Sequence, residues 1–231
     1  VEPDRSAERT HNMPTVLYAD DSIVVIDKPA GMLSVPGKDN GRLSAEQFVR
    51  QQFNIPAEVT AVVHRLDMDT SGLLVFARPQ AAQRALQTQF LKHTVKKRYE
   101  ALLSGVVQQH GAAVDWQKQC ISLPLRPDPY NRPLQVVDPI NGKTAVSHFA
   151  LGHIENGQQH ISLWPLTGRT HQLRVHCAHP DGLGCPIAGD PLYGRGIAPT
   201  PSKRLCLHAA QLCFTHPVSG KPLTFNSVVP F

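Results

Sequence analysis

The sequence predicts an α+β fold, a mixed and mainly antiparallel β-sheet with flanking helices. Three observations lead there: strand-like segments dominate, most of them can pair with their neighbour in sequence, and helical periodicity is confined to a few stretches. "VLYADDSIVVIDKPAGMLSVPG" (Val16 to Gly37) reads as two short strands around an Asp-Asp turn, followed by a Pro/Gly loop. A helix follows, with Ser44 as its cap, Gln47 three residues on to close a capping box, and Leu43 and Phe48 as a hydrophobic staple. It should end near Phe53, ahead of Asn54 and Pro56. "LLVFA" is a buried strand. Gln80 to about His93 is a second helix, its first turn suited to Pro79 and its core face made by Ala82, Leu86 and Phe90.

"RYEALLSGVV" is a strand. The stretch from Gln108 to Lys143 is rich in turns and proline and reads as an excursion carrying short strands. "TAVSHFALGHI" and "QQHISLWPL" alternate apolar and polar residues and form a hairpin around "ENGQ". "TGRTHQLRVHCAHP" is a turn and then a short helix that Pro180 ends. The glycine-rich loop "DGLGCPIAGDPLYGRG" precedes a last hairpin, "AQLCFTHPVSGKPLTFNS".

The 231 residues suffice for one large domain or two small ones. Neither an internal repeat nor a low-complexity linker divides them, so the reading is a flexible tail over residues 1–14 and one catalytic domain over 15–231. No apolar run approaches the ~20 residues needed to span a bilayer, and the polar first residues are no secretory signal, so no membrane partner is expected. A net charge of +5 leans toward a polyanion, and nucleic acid is the commonest. Five cysteines without a C-x-x-C pair form a reduced, cytoplasmic pattern.

One stretch concentrates chemistry. "VVHRLDMDTSGLLVFAR" (Val62 to Arg78) sets His64, Arg65, Asp67 and Asp69 at the mouth of the buried strand. Asp67 ends a loop where the backbone is fixed and a side chain can face a cleft, and His64 and Arg65 beside it favour its ionised form. The alternative is a structural Asp-Arg pair that closes a turn. A second alternative is a glycosidase. Residues two apart in an extended chain lie ~6.6 Å apart on one face, a spacing that suits the paired carboxylates of inverting enzymes. Against it, "MDTSG" looks like a turn, and aromatic residues total only 6% where a sugar cleft would be rich in them. A zinc site among His171, His176, Cys177, His179 and Cys185 has ligand density but lacks ligand spacing.

"KHTVKKRYE" brings Lys92, His93, Lys96, Lys97 and Arg98 together before a strand. They can complement a helix C-terminus, contact phosphates, or do both. In "TGRTHQLRVH", Arg169 lies in a tight turn and Arg174 on the helix after it. Either can stay exposed, or hold a carboxylate or phosphate bidentately.

"HRLDMDTSGLLVFA" resembles the H-R-L-D-x-x-T-S-G-L signature of the RluA family of RNA pseudouridine synthases. "VVIDKPAGMLSVPG", "KKRYEALLSG", "GRTHQLRVH", "GDPLYG" and "LHAAQLCFTHPVSGKPLTF" are similar to its other motifs, in order, from about Val16 to Phe231. The resemblance implies a pseudouridine synthase fold with a central RNA-binding cleft. It implies that Asp67 attacks the target uridine, that Arg169 pairs with Asp67, and that Tyr99 packs on the uracil and assists proton transfer. Arg65 would displace the base from its stack, with His64 beside it. Leu173 would line the pocket, and Lys96, Lys97 and Arg98 would meet the RNA backbone. Asp69 falls at an x of the signature. The reaction, an isomerisation, implies neither metal nor redox cofactor. "LSVPGK" and "PYNRPLQ" look like the short RluA branch, which lacks a separate N-terminal RNA-binding module and modifies a loop uridine in large-subunit rRNA and the tRNA anticodon arm. The implied partner is therefore RNA rather than DNA, met by a monomer. "HPDGLGCPIAGD" is longer than the family leads one to expect.

Overall fold

A computed structural model of the chain describes residues 13–37, 41–109, 111–194 and 202–231. Residues 1–12 of the expected tail lie outside them. The architecture is α+β, with three helices and a mostly antiparallel sheet among the described residues. The chain divides into two compact units, one running to Lys96 and including Ala209–Val228, the other comprising Lys97–His208 and Val229–Phe231.

The first unit begins with β1 (Thr15–Ala19) and β2 (Ile23–Lys28), paired antiparallel around the Asp-Asp turn. Asp20 organises that turn: its carboxylate accepts from the backbone N–H groups of Ser22 at 2.7 Å and Ile23 at 2.8 Å. Helix α1 (Ala45–Phe53) has the expected capping box on Ser44 and Gln47. It stops where Asn54 turns left-handed, with φ 50°. Strand β3 (Ser71–Ala77) is buried along its whole length, as a strand covered on both faces must be. Gly72 has to be glycine. Its φ is +112°, and a Cβ there would come within 2.4 Å of the Ala209 carbonyl oxygen on the neighbouring strand.

Helix α2 (Gln80–Leu91) ends two residues before the expected His93, because His93 takes φ 54° and leaves the helix. Past Ala209, β11 (Leu207–Thr215) belongs to this unit and pairs with β12 (Pro222–Asn226). The strand order is β1-β2-β3-β11, with β12 on β11. Ile23, Val25, Leu73, Val75, Leu86, Leu212 and Phe214 form its core.

The second unit has the order β4-β10-β9-β6-β5, from β4 (Lys96–Leu102), β5 (Val114–Asp115), β6 (Cys120–Ser122), β9 (Val146–Glu155) and β10 (Gln158–Pro165). The ribbon of β7 (Leu125–Pro127) and β8 (Gln135–Val137) stands apart. Helix α3 (Gln172–Ala178) packs into a core built on Leu103, Ile121, Phe149, Ile161 and Leu163. The 180–190 loop turns inward: Leu183, Cys185, Ile187 and Ala188 are buried in that core. All five cysteines are free thiols.

His176, on α3, is wholly buried, and neither ring nitrogen has a hydrogen-bond partner among the described residues. Burial pushes its pKa down to about 4, opposed by the nearby Leu123 carbonyl. The unfolded chain takes up a proton here near the ordinary value of about 6.5. The stability tied to neutral His176 is therefore complete above pH ~6.5 and is lost as pH falls toward 4. Between pH 7.5 and 5 this site should account for roughly 2 kcal/mol of lost unfolding free energy. Urea melts at the two pH values, on the wild type and on His176→Leu, measure it. Equal acid losses in both proteins would dismiss the role of His176.

Candidate active site

His64, Arg65, Asp67 and Asp69 lie in the loop that leads into β3. The Thr70 N–H closes onto the Asp67 carbonyl at 3.2 Å, so "MDT" is a turn and the same-face spacing of Asp67 and Asp69 does not arise. Asp67 is half-buried, and the backbone on each side of it is held from a distance. On one side the Ser34 hydroxyl donates to the Leu66 carbonyl at 2.7 Å and accepts from the Leu66 N–H at 3.0 Å. On the other, the Met68 carbonyl accepts from Lys28 Nζ at 2.9 Å and from the Gly31 N–H at 2.9 Å.

Lys28 is fully buried and also donates to the carbonyls of Pro29 at 2.9 Å and Met32 at 2.8 Å. Buried backbone groups need partners. Here they find them in the "DKPAGMLS" segment, so that segment fixes the backbone that carries Asp67.

Arg65 points into solvent. His64 does not: its Nε2 accepts from the Val75 N–H at 3.1 Å, and its ring stacks on Phe90 at 4.6 Å between centroids. That acceptor role puts the proton of the neutral ring on Nδ1.

Tyr99, Arg169, Leu173, Lys97 and Arg98 lie in the second unit. Alternation along β4 sets Lys97 and Tyr99 on one face and Lys96, Arg98 and Glu100 on the other. Tyr99 packs against the core cluster that contains Leu173. Lys96 is exposed. Lys97 is half-buried, and burial pushes its pKa below the ordinary lysine value. Arg98 is paired with Glu100 at 2.7 Å, and Glu100 also accepts from the Ser162 hydroxyl at 2.8 Å. Of Lys96, Lys97 and Arg98, the first is an exposed lysine, the second a desolvated one and the third an arginine in an ion pair.

The turn before α3 is built by Gln172. Its buried carboxamide accepts from the Arg169 N–H at 3.0 Å and the Thr167 hydroxyl at 2.7 Å, and donates to the Val146 carbonyl at 2.9 Å and the Ser147 hydroxyl at 2.8 Å. Arg169 is left on the surface, with Nε donating to the Thr144 carbonyl at 3.1 Å.

Arg174 has the opposite fate. It is 2% exposed and grips Asp190 bidentately, Nε to Oδ2 at 2.8 Å and Nη2 to Oδ1 at 2.7 Å. Burial alone would raise the Asp190 pKa, but the Arg174 guanidinium and the N–H groups of Tyr193 and Leu192 outweigh it and hold the carboxyl below its ordinary value. Tyr193 lies under the guanidinium at 5.3 Å, and its hydroxyl meets His171 Nδ1 at 2.8 Å. His171, His176, Cys177, His179 and Cys185 are not among the groups of described residues that could converge on a metal.

The sequence marks the motifs that contain Ser34, Lys28, Gln172 and Asp190 but not these residues themselves, since nothing local announces partners that lie 32, 40, 26 and 16 residues away.

A family model described as RNA pseudouridylate synthase matches residues 22–179. The dual-specificity RNA pseudouridine synthase RluA of Haemophilus influenzae is 40% identical over 220 residues, 94% of this chain and 93% of that protein. The proteins of the same name from Yersinia pestis and Escherichia coli K12 are 40% and 39% identical over 217 residues, 94% of this chain and 99% and 93% of theirs. The solved structure of Human RNA Pseudouridylate Synthase Domain Containing 1 superposes with a TM-score of 0.73 at 26% identity, covering 100% of this chain and 87% of that one. Human RNA Pseudouridylate Synthase Domain Containing 4 shares the fold, with a TM-score of 0.70 at 24% identity over 94% of this chain and 88% of that one. With a family model over more than half of the chain and about 40% identity along nearly all of it, the protein belongs to the RNA pseudouridylate synthase family.

Proposed function

We propose that this protein isomerises a loop uridine to pseudouridine in large-subunit rRNA and in the tRNA anticodon arm, with Asp67 as the reacting carboxylate. The observation that carries the reading is the loop of Asp67, a carboxylate between two backbone positions, Leu66 and Met68, each held by hydrogen bonds from the Lys28–Ser34 segment. Catalysis by a single positioned carboxylate needs that fixity more than it needs further functional groups. The "dual-specificity" in the relatives' names supports two RNA substrates rather than one.

In this reading Asp67 adds to the uridine and is released again: the C1′–N1 glycosidic bond breaks, the uracil turns, C1′–C5 forms, the C5 proton leaves to solvent and N1 takes up a proton in its place. No atom is gained and nothing is oxidised. Arg65, exposed beside Asp67, takes the space of the displaced base, the one costly step in reaching a stacked nucleotide. Tyr99 packs on the uracil with Leu173 behind it. Lys96 meets RNA phosphates from solvent. Lys97 and Arg98 do so after giving up burial and the Glu100 pair respectively. One chain acts alone, on RNA, in the cytoplasm, a setting that suits five free thiols.

The test is tritium release from transcripts of the two RNA classes labelled at uridine C5. One equivalent released per target uridine from each RNA is expected. Release from neither would defeat the proposal, and release from one alone would reduce it to a single substrate. Ser34→Ala tests the loop itself. It removes both bonds to Leu66 without touching the carboxylate, and should lower kcat about 10-fold to 100-fold at nearly constant KM. An unchanged kcat would mean that the Ser34 bonds are structural only.

A further inference from the structure

The β9–β10 hairpin carries a donor set that the proposed reaction does not use. Glu155 and Gln158 are the last paired residues, joined by Asn156 (φ 50°) and Gly157 (φ 76°), a two-residue turn with both φ positive whose twist suits the strands. Just inside this turn the register shifts. Gln159 faces Ile154 and Ile161 faces Leu151, so Gly152 and His153 together oppose His160.

The bulge brings His153 against His160, with ring centroids 4.1 Å apart and planes at 17°. Gly152 gives the room for it, since a Cβ there would lie 3.2 Å from His160 Cβ. Buried Gln159 holds the bulge, its amide donating to the Gly152 carbonyl at 3.4 Å and accepting from the Val107 N–H at 3.0 Å. Glu155 shares a strand face with His153, its Oε2 4.0 Å from His153 Nε2. One donor atom each from His153, Glu155 and His160 lies within 4.8 Å of the other two.

We propose that His153, Glu155 and His160 bind a borderline divalent cation, with zinc(II) as the reference ion. Two imidazoles and a carboxylate form a donor set that zinc accepts, with water in the fourth place. Ligand atoms on a tetrahedral zinc stand roughly 3.3 Å apart at the usual bond lengths. Closing from the spacing seen here takes only small rotations of side chains at the surface. The turn and the bulge have already fixed the two backbones, so little order remains to be imposed. The site is separate from the chemistry proposed above, since none of its residues takes part there.

Full-length, chelator-stripped protein is titrated with ZnCl2 in competition with a chromogenic chelator. One equivalent should bind with micromolar affinity, weakened at least about tenfold by His153→Ala and by His160→Ala, and less by Glu155→Gln. Uridine turnover should be the same in all three variants. A Cys120→Ser/Cys213→Ser variant, without the two partly exposed thiols, should bind as the wild type does. Zinc should also raise Tm in the wild type and leave it unmoved in the histidine variants. The site is refuted by the absence of saturable binding below about 100 μM, by affinity that survives both histidine substitutions, or by loss of binding in the thiol variant.

Discussion

Asp67→Asn should reduce uridine turnover by at least roughly 10⁴-fold while leaving the fold and RNA affinity nearly intact. The amide matches the carboxylate in shape, and hydrogen bonds to the main chain of Leu66 and Met68 hold this loop on either side of it. Only the nucleophile is lost, so the deficit should appear in kcat with KM almost unchanged. Asp69→Asn, two residues on and beyond the start of the turn, should cost less than about threefold. Single-turnover tritium release for both variants, alongside filter binding of the same RNA, separates chemistry from binding. Asp67→Asn within tenfold of the wild type would end the assignment of Asp67.

The largest effect on stability is expected at Arg174. Its guanidinium is enclosed with Asp190, and removing one partner leaves the other buried without its counter-ion. Arg174→Met keeps the apolar stem and should cost about 3–5 kcal/mol in urea denaturation. Asp190→Asn should cost less, because the amide oxygen can still accept from the Leu192 and Tyr193 N–H groups. The double variant should be more stable than the sum of the single losses predicts, by at least about 2 kcal/mol, since it strands neither charge. Strict additivity would show that the pair is not energetically coupled, whatever its geometry.

The contrast between Arg169 and Arg174 shows what a sequence discloses and what it withholds. Both belong to one motif, and both are arginines at the entrance to a short helix. The structure leaves one on the surface and buries the other, because Asp190 lies sixteen residues beyond Arg174 and the loop between them folds into the core. No local rule carries that information.

Features whose causes are local were legible. The capping box of α1 lies within four residues, Leu73–Ala77 of β3 is an unbroken apolar run, and the β9–β10 hairpin combines apolar/polar alternation with an Asn-Gly turn. The end of α2 was less so, since a left-handed histidine is not a strong stop signal. The site was legible as a set of motifs and not as a mechanism of support. Asp67 stands out by its charged neighbours, whereas Ser34 looks like an ordinary loop serine until its hydroxyl is found on Leu66, thirty-two residues away. His64 reads as a charged neighbour of Asp67, yet its ring is turned to a backbone N–H and a phenyl face.

The most direct measurement maps pseudouridines in the large-subunit rRNA and the tRNA of cells lacking this gene, complemented either with the wild type or with Asp67→Asn. One rRNA loop uridine and an anticodon-arm uridine should stay unmodified without the gene, regain pseudouridine with the wild type, and stay unmodified with Asp67→Asn expressed at the same level. Restoration of both sites by Asp67→Asn, or an unchanged map when the gene is removed, would contradict the proposed function.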